Sequence, residues 1–286
     1  MMQKNIHTFI GCESSYEESK LVLFGAPFDS TTSYRPGTRF ASGAIRNESF
    51  GIETYSPYQD KDLMDIQVFD GGDLELSFGH PAQALQDIEN FTKKVLLDGK
   101  LPLMIGGEHL VTLGAVRAAF EKYPDLHIIQ FDAHTDLRDE YLGAKLSHAS
   151  VIRRCWDIVG DDKIYQFGIR SGERSEFEWA KSHIHTTKFS FDGLEEIVKR
   201  MGQAPVYLTI DLDVLDPSVF PGTGTPEAGG VTFIQLLQAI ETVSKLNLVA
   251  LDMNELSPIY DPSGASTALA CKLLRELILY TYPKNK

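Results

Sequence analysis

"IIQFDAHTDL", residues Ile128 to Leu137, opens as a buried strand would and then turns polar at every second position, with Asp132, His134 and Asp136. An apolar run of this kind suits a strand covered on both faces, and such strands belong to parallel sheets flanked by helices. If the strand geometry carries on through Asp136, positions i, i+2 and i+4 project together from one face. Burying such a trio without partners would be costly, about 2–7 kcal/mol for one unpaired polar group. The expectation is that positive charge sits against it.

Working outward, similar runs recur along the chain: "LVLFGAP" (21–27), "IQVFDGG" (66–72), "LPLMIGG" (101–107), "KIYQFGIR" (163–170), "PVYLTIDLD" (205–213) and "LVALDMNEL" (248–256), with "HIHTTKF" (183–189) as a weaker eighth strand. Helical patterns lie between them. From Pro81 to Asp98, Leu85, Ile88, Phe91 and Val95 share a face and Gly99 follows as a stop. Thr232 and Gln235 have capping-box spacing ahead of Leu236, Leu237, Ile240 and Val243, and a last helix is expected from about Ser263 through "STALACKLLRELILY". Strands alternating with helices predict βαβ units around a mostly parallel sheet. No linker, repeat or low-complexity tract divides the chain, so residues 1–286 are expected to form a single domain.

The formal net charge of -13 argues against a nucleic-acid surface, which needs a basic stripe, and is compatible with a cationic substrate. Three cysteines, Cys12, Cys155 and Cys271, are too scattered for a disulfide framework. The N-terminal stretch has no apolar core long enough for a signal peptide, and no segment approaches the roughly 20 apolar residues of a membrane span. The expected location is the cytoplasm, with no membrane or nucleic-acid partner.

In open α/β sheets ligands bind beyond the carboxyl ends of the strands. Here those ends are polar: Glu108 and His109 follow one, Asp132, His134 and Asp136 another, Asp211 and Asp213 a third, and Glu255 a fourth. Taken singly, each has a structural explanation as a turn, cap or ion-pair residue. Together, two imidazoles and four aspartates form a hard oxygen and nitrogen donor set that suits Mn²⁺ or a similar divalent ion. Paired ions about 3.5–4 Å apart can hold a hydroxide between them at neutral pH.

The motifs "GGEH" (106–109), "FDAHTD" (131–136), "IDLDVLDPSVFPGTGTPEAGG" (210–230) and "LDMNELSP" (251–258) resemble, in the same order, the signatures of the ureohydrolases, the arginase and agmatinase family. The resemblance implies a three-layer α/β/α domain around an eight-stranded parallel sheet and two Mn²⁺ per subunit. One ion would be held by His109, Asp132, Asp136 and Asp211. The other would be held by His134, Asp132, Asp211 and Asp213, with Asp132 and Asp211 bridging. It implies hydrolysis of a guanidino compound to urea and an amine by a hydroxide bridging the metals. Glu255 would pair with the guanidinium, and His148 in "KLSHAS" would be the proton shuttle. Trimers or hexamers are the family's usual assemblies. The glycine-rich loop "PGTGTPEAGG" would form a substrate-facing wall, and "TTSYRPGTRF" (31–40) would lie near the pocket or subunit edge.

For the substrate, "FGIRSGERSEFEWA" carries Ser171 and Gly172 where arginases typically carry an acid, and the loops resemble agmatinases more closely. Agmatine, cleaved to putrescine and urea in polyamine biosynthesis, is therefore expected over arginine, with Glu173 as a candidate partner for the distal ammonium. Guanidinobutyrate and formiminoglutamate are alternatives with the same ligand set. A non-catalytic binding protein would be expected to have lost ligands or His148, and none is lost here.

Overall fold

A computed structural model describes residues 7–283; part of the N-terminal stretch read above for a leader, residues 1–6, lies outside them. The eight expected strands form one sheet. They are β1 (Leu21–Gly25), β4 (Val68–Asp73), β5 (Leu101–Ile105), β6 (His127–Phe131), β7 (Ile164–Ile169), β8 (His185–Lys188), β9 (Pro205–Asp211) and β10 (Asn247–Asn254). Their order is β4-β1-β5-β10-β9-β6-β7-β8, and every pairing is parallel. Two short strands, β2 (Tyr55–Ser56) and β3 (Lys61–Asp62), make a separate hairpin. It is tied to the last helix by Ser56 and Gln59, both of which donate to Glu276.

The helices are α1 (Ala41–Glu48), α2 (Pro81–Leu97), α3 (Thr112–Lys122), α4 (Val151–Val159), α5 (Arg174–His183), α6 (Leu194–Met201), α7 (Phe233–Val243) and α8 (Ala265–Thr281). The expected capping box is formed at α7, where Thr232 and Gln235 satisfy each other's backbone N–H groups. Two cores sandwich the sheet. Residues of α1, α6, α7 and α8 pack against Leu103, Ile129, Leu208 and Leu251. Residues of α2, α3, α4 and α5 pack against Met104 and Ile128. Ile128 and Ile129 thus enter opposite cores, which is why this strand reads as an unbroken apolar run. Cys12, Cys155 and Cys271 are buried and unpaired. Among the described residues no helix is long and apolar enough to cross a membrane.

The register brings the ends of the four central strands level. Ile105 lies beside Met253, Met253 beside Ile210, and Ile210 beside Phe131. The next position along each strand therefore falls in one row: Gly106, Asn254, Asp211 and Asp132. Close packing in that row requires Gly106, because a Cβ there would stand 1.7 Å from Asn254 Oδ1. At Gly107 a Cβ would stand 2.1 Å from the Phe28 carbonyl oxygen, which is backbone and has little room to yield. Gly107→Ala is expected to lower stability by about 1–3 kcal/mol, the usual cost of overpacking, measured as a reduced urea midpoint with an unchanged m-value.

Candidate metal centre

The candidate ligands and Glu255 are delivered at or just beyond strand ends. Beyond β5, Gly106 and Gly107 lead to Glu108, which precedes a short 3₁₀ turn over His109–Val111 that runs into α3. Beyond β9, Asp211 caps a 3₁₀ turn over Leu212–Val214, and its Oδ1 accepts from the Asp213 N–H at 2.8 Å. Glu255 follows β10 directly, in a left-handed conformation at φ +66°. Strand geometry, however, does not gather Asp132, His134 and Asp136. The strand β6 ends at Phe131, and the trio lies in the turn that follows. Asp132 Oδ1 accepts from the His134 N–H at 2.6 Å, and Asp136 is swung round by a left-handed φ of +51°. Asp211 and Asp213 likewise converge through a turn, since only Asp211 lies in the strand. The alternation picks out residues that do lie together, but local turns rather than strand geometry bring them there.

Five of the six residues form two overlapping groups able to hold a metal ion, one of His109, Asp132 and Asp211 and the other of Asp132, His134 and Asp213, with Asp136 beside the first. Asp132 belongs to both. His109 Nδ1 lies 3.0 Å from Asp132, 3.1 Å from Asp136 and 3.4 Å from Asp211. His134 Nδ1 lies 2.9 Å from Asp213 and 3.6 Å from Asp132. The donor set fits divalent ions on one direct observation: His109 Nδ1 is buried, faces three carboxylates, and has no hydrogen-bond partner. Its other nitrogen, Nε2, is 2.8 Å from Thr209 Oγ1. Below Thr209 lies a buried network in which Thr112 and Asn254 donate to Asp252 at 2.8 and 2.7 Å. Such outer partners fix the ring orientation of a ligating histidine.

The electrostatics point the same way. Burial, together with the neighbouring Asp213 and Asp132, holds the Asp211 carboxyl well above the usual range. Burial and Asp132 push Asp136 up to about 7. Burial alone would lower His109, but the surrounding carboxylates outweigh it and raise the imidazole well above its ordinary value. Carboxyls and imidazoles that both retain protons mark a pocket short of positive charge.

This centre opens on a cavity of about 270 Å³ that Glu255 and His148 also line. Glu255 is buried, and its Oε1 accepts from the His109 N–H at 2.7 Å. His148 opens a 3₁₀ turn with a capping box formed by Ser147 and Ser150, just before α4. Its backbone N–H donates to Thr31 Oγ1 at 3.0 Å, and its Nε2 lies 3.2 Å from Ser33 Oγ. Burial pushes the imidazole down to about 4, with the nearby cationic side chains adding to the effect, so it is neutral near pH 7.

Several wall residues escaped the sequence reading. Ser33 comes from the basic, aromatic 31–40 stretch, and Arg138 and Tyr141 come from the loop before His148. In the glycine-rich loop, Thr225 lines the cavity and donates to Asp213 at 3.2 Å. Glu227, two residues on, lies 3.8 Å from His134 Nε2 and accepts from Ser171 Oγ at 2.9 Å. Within the loop Gly224 serves close packing, since a Cβ there would stand 2.8 Å from the Arg35 carbonyl oxygen. Glu173 does reach the cavity wall, but it is paired with Arg138 at 2.9 Å. The signal for Glu227 was its place inside a quoted motif; nothing in the pattern marked Arg138 or Tyr141.

An agmatinase of Bacillus subtilis (strain 168) is 46% identical over 95% of each chain, and one of Bacillus anthracis is 48% identical over 95% of each chain. The crystal structure of agmatine ureohydrolase of Thermoplasma volcanium superposes with a TM-score of 0.88 at 35% identity, covering 97% of this chain and 94% of that one. A profile described as the arginase family matches residues 19–280, and the chain belongs to that family.

Proposed function

We propose that the chain is a hydrolase that cleaves the guanidino group of agmatine, yielding putrescine and urea, a step in polyamine formation. The observation that carries this reading is the pair of overlapping ligand groups sharing Asp132, set in the floor of a cavity walled by Glu255 and His148. One ion would be held by His109, Asp132, Asp136 and Asp211 and a second by His134, Asp132, Asp211 and Asp213, with Mn²⁺ favoured by the mixed oxygen and nitrogen donors. When bound, such ions supply Lewis acidity and a water that ionises near neutral pH.

The chain's own groups do the rest. A guanidinium is planar and cationic, so a buried carboxylate such as Glu255 can hold it in a fixed plane through charge-assisted hydrogen bonds. Hydrolysis adds water across the bond between the guanidinium carbon and the alkyl nitrogen, and the departing amine needs a proton. A neutral His148 can first accept a proton at Nε2 and then pass it to that nitrogen. At the cavity wall Arg138 is already engaged by Glu173, so any substrate carboxylate would have to displace Glu173 to be paired there, whereas agmatine carries none. Guanidinobutyrate is the second reading, favoured by the same Arg138, should its carboxylate displace Glu173. The resemblance also supports one catalytic domain in a cytoplasmic homo-oligomer, a trimer or hexamer, which sedimentation would test.

Extended chelation is expected to abolish activity and Mn²⁺ to restore it, and Asp132→Ala should lose both ions because the two groups share that carboxylate; elemental analysis reads this directly. Full turnover by metal-free protein would overturn the reading. His148→Asn should lower kcat by about 10²–10⁴-fold while metal content stays unchanged, as loss of acid–base help predicts. In parallel urea assays, kcat/KM should favour agmatine over arginine by about 10²-fold or more, since a carboxylate left imperfectly paired costs a few kcal/mol. Comparable values for the two, or a preference for guanidinobutyrate, would reassign the substrate and leave the metal chemistry standing.

A further inference from the structure

One buried carboxylate beside the site has no task in this chemistry. Glu108 is fully shielded from solvent and immediately precedes His109, yet it belongs to neither ligand group. Its oxygens are occupied by a loop from far away in the sequence. Thr31 N–H donates to Oε2 at 2.8 Å, Thr31 Oγ1 donates to Oε1 at 2.7 Å, and Thr32 Oγ1 donates to Oε2 at 3.2 Å. The loop is anchored on either side of these contacts. The Phe28 carbonyl accepts from the Glu108 N–H at 2.7 Å, and Asp29 accepts from the Gly37 N–H at 2.8 Å.

A threonine hydroxyl has one proton to give. With that proton directed at Glu108, the lone pairs of Thr31 Oγ1 are free to accept, and they accept from the His148 backbone N–H at 3.0 Å. Two residues further on, Ser33 Oγ lies 3.2 Å from His148 Nε2. The other ring nitrogen, Nδ1, is buried and has no hydrogen-bond partner among the described residues, so among them the Ser33 contact is the one hydrogen bond to the ring. One three-residue bracket therefore grips His148 at its backbone and at its working nitrogen, and Glu108 sets the bracket. A carboxylate is costly to bury, and a plain structural contact could be made by an apolar side chain at lower cost. Its retention makes sense where direction matters, because an acceptor on that side fixes which way the Thr31 hydroxyl points.

We propose that Glu108 is a positioning residue, which through Thr31 and Ser33 aims the His148 imidazole into the cavity. The inference rests on the reading of His148 as the proton carrier. The test uses the Mn²⁺-loaded full-length protein with agmatine and compares Thr31→Val, Thr31→Ser, Ser33→Ala and Glu108→Gln, with Thr31→Val also placed in the His148→Asn background. Thr31→Val should lower kcat about tenfold or more with little change in KM or metal content, and Thr31→Ser, which keeps the hydroxyl, should recover most of the loss. In the His148→Asn background Thr31→Val should cost nothing further, because coupled residues are non-additive. A second readout needs no turnover: ¹H–¹⁵N correlations of the His148 ring in metal-free protein should show one fixed tautomer, replaced by an average in Thr31→Val and Ser33→Ala. If Glu108→Gln fails to fold, the Thr31 and Ser33 variants still decide the matter. Wild-type kcat in Thr31→Val, or losses that multiply with His148→Asn, would overturn the positioning role while leaving the function reading intact. Wild-type kcat in His148→Asn would overturn both.

Discussion

Five carboxylates, from Asp132, Asp136, Asp211, Asp213 and Glu255, lie buried together over the middle of the sheet, and their mutual repulsion has to be answered by positive charge. In a region of low dielectric this repulsion is several times stronger than in water. Much of the surrounding architecture can be understood as what holds such a cluster in place. Four strands end level so that the acids arrive together, and glycines at the end of β5 let backbones approach where side chains would collide. Left-handed turns at Asp136 and Glu255 aim two of the acids, at a cost in local strain that the surrounding packing must sustain.

Much of this could be read from the chain itself. The central strands announce themselves as apolar runs because both faces are covered, and the polar residues that follow mark their ends. The strand β8 is fainter for the reason that it sits at the sheet edge with only partly buried side chains. The hairpin of β2 and β3 has two residues in each strand, too short for any periodicity to show. The proximity of the six ligand-type residues could be anticipated from composition and spacing, but the means of their convergence could not. Strand alternation was the simplest geometry available from sequence, and turn conformation at Asp136 depends on contacts that no local pattern records.

Glu108 illustrates the same limit from the other side. From sequence it reads only as a polar residue at a strand end, beside His109. Only the fold shows that its partners are Thr31 and Thr32, some 77 positions away. Arg138 and Glu173 are similar: the one reads as an ordinary surface charge and the other as a candidate partner for a distal ammonium, and their pairing at the cavity wall depends on how two loops meet. Pocket walls are made by loops from several strands, so their composition is the last thing a linear pattern discloses.

The position of β10 has a consequence for how the sheet is put together. It lies between β5 and β9, and without it the sheet falls into two halves, β4-β1-β5 and β9-β6-β7-β8, that share no strand-to-strand pairing. The segment that joins them, Asn247–Asn254, comes last of the eight strands in chain order, so the sheet is not sealed until it is placed. Until then each half presents an open edge in the middle of what will become the core, and open edges invite pairing with the wrong chain. The sheet is therefore closed by insertion of a strand between two open edges rather than by growth from one end.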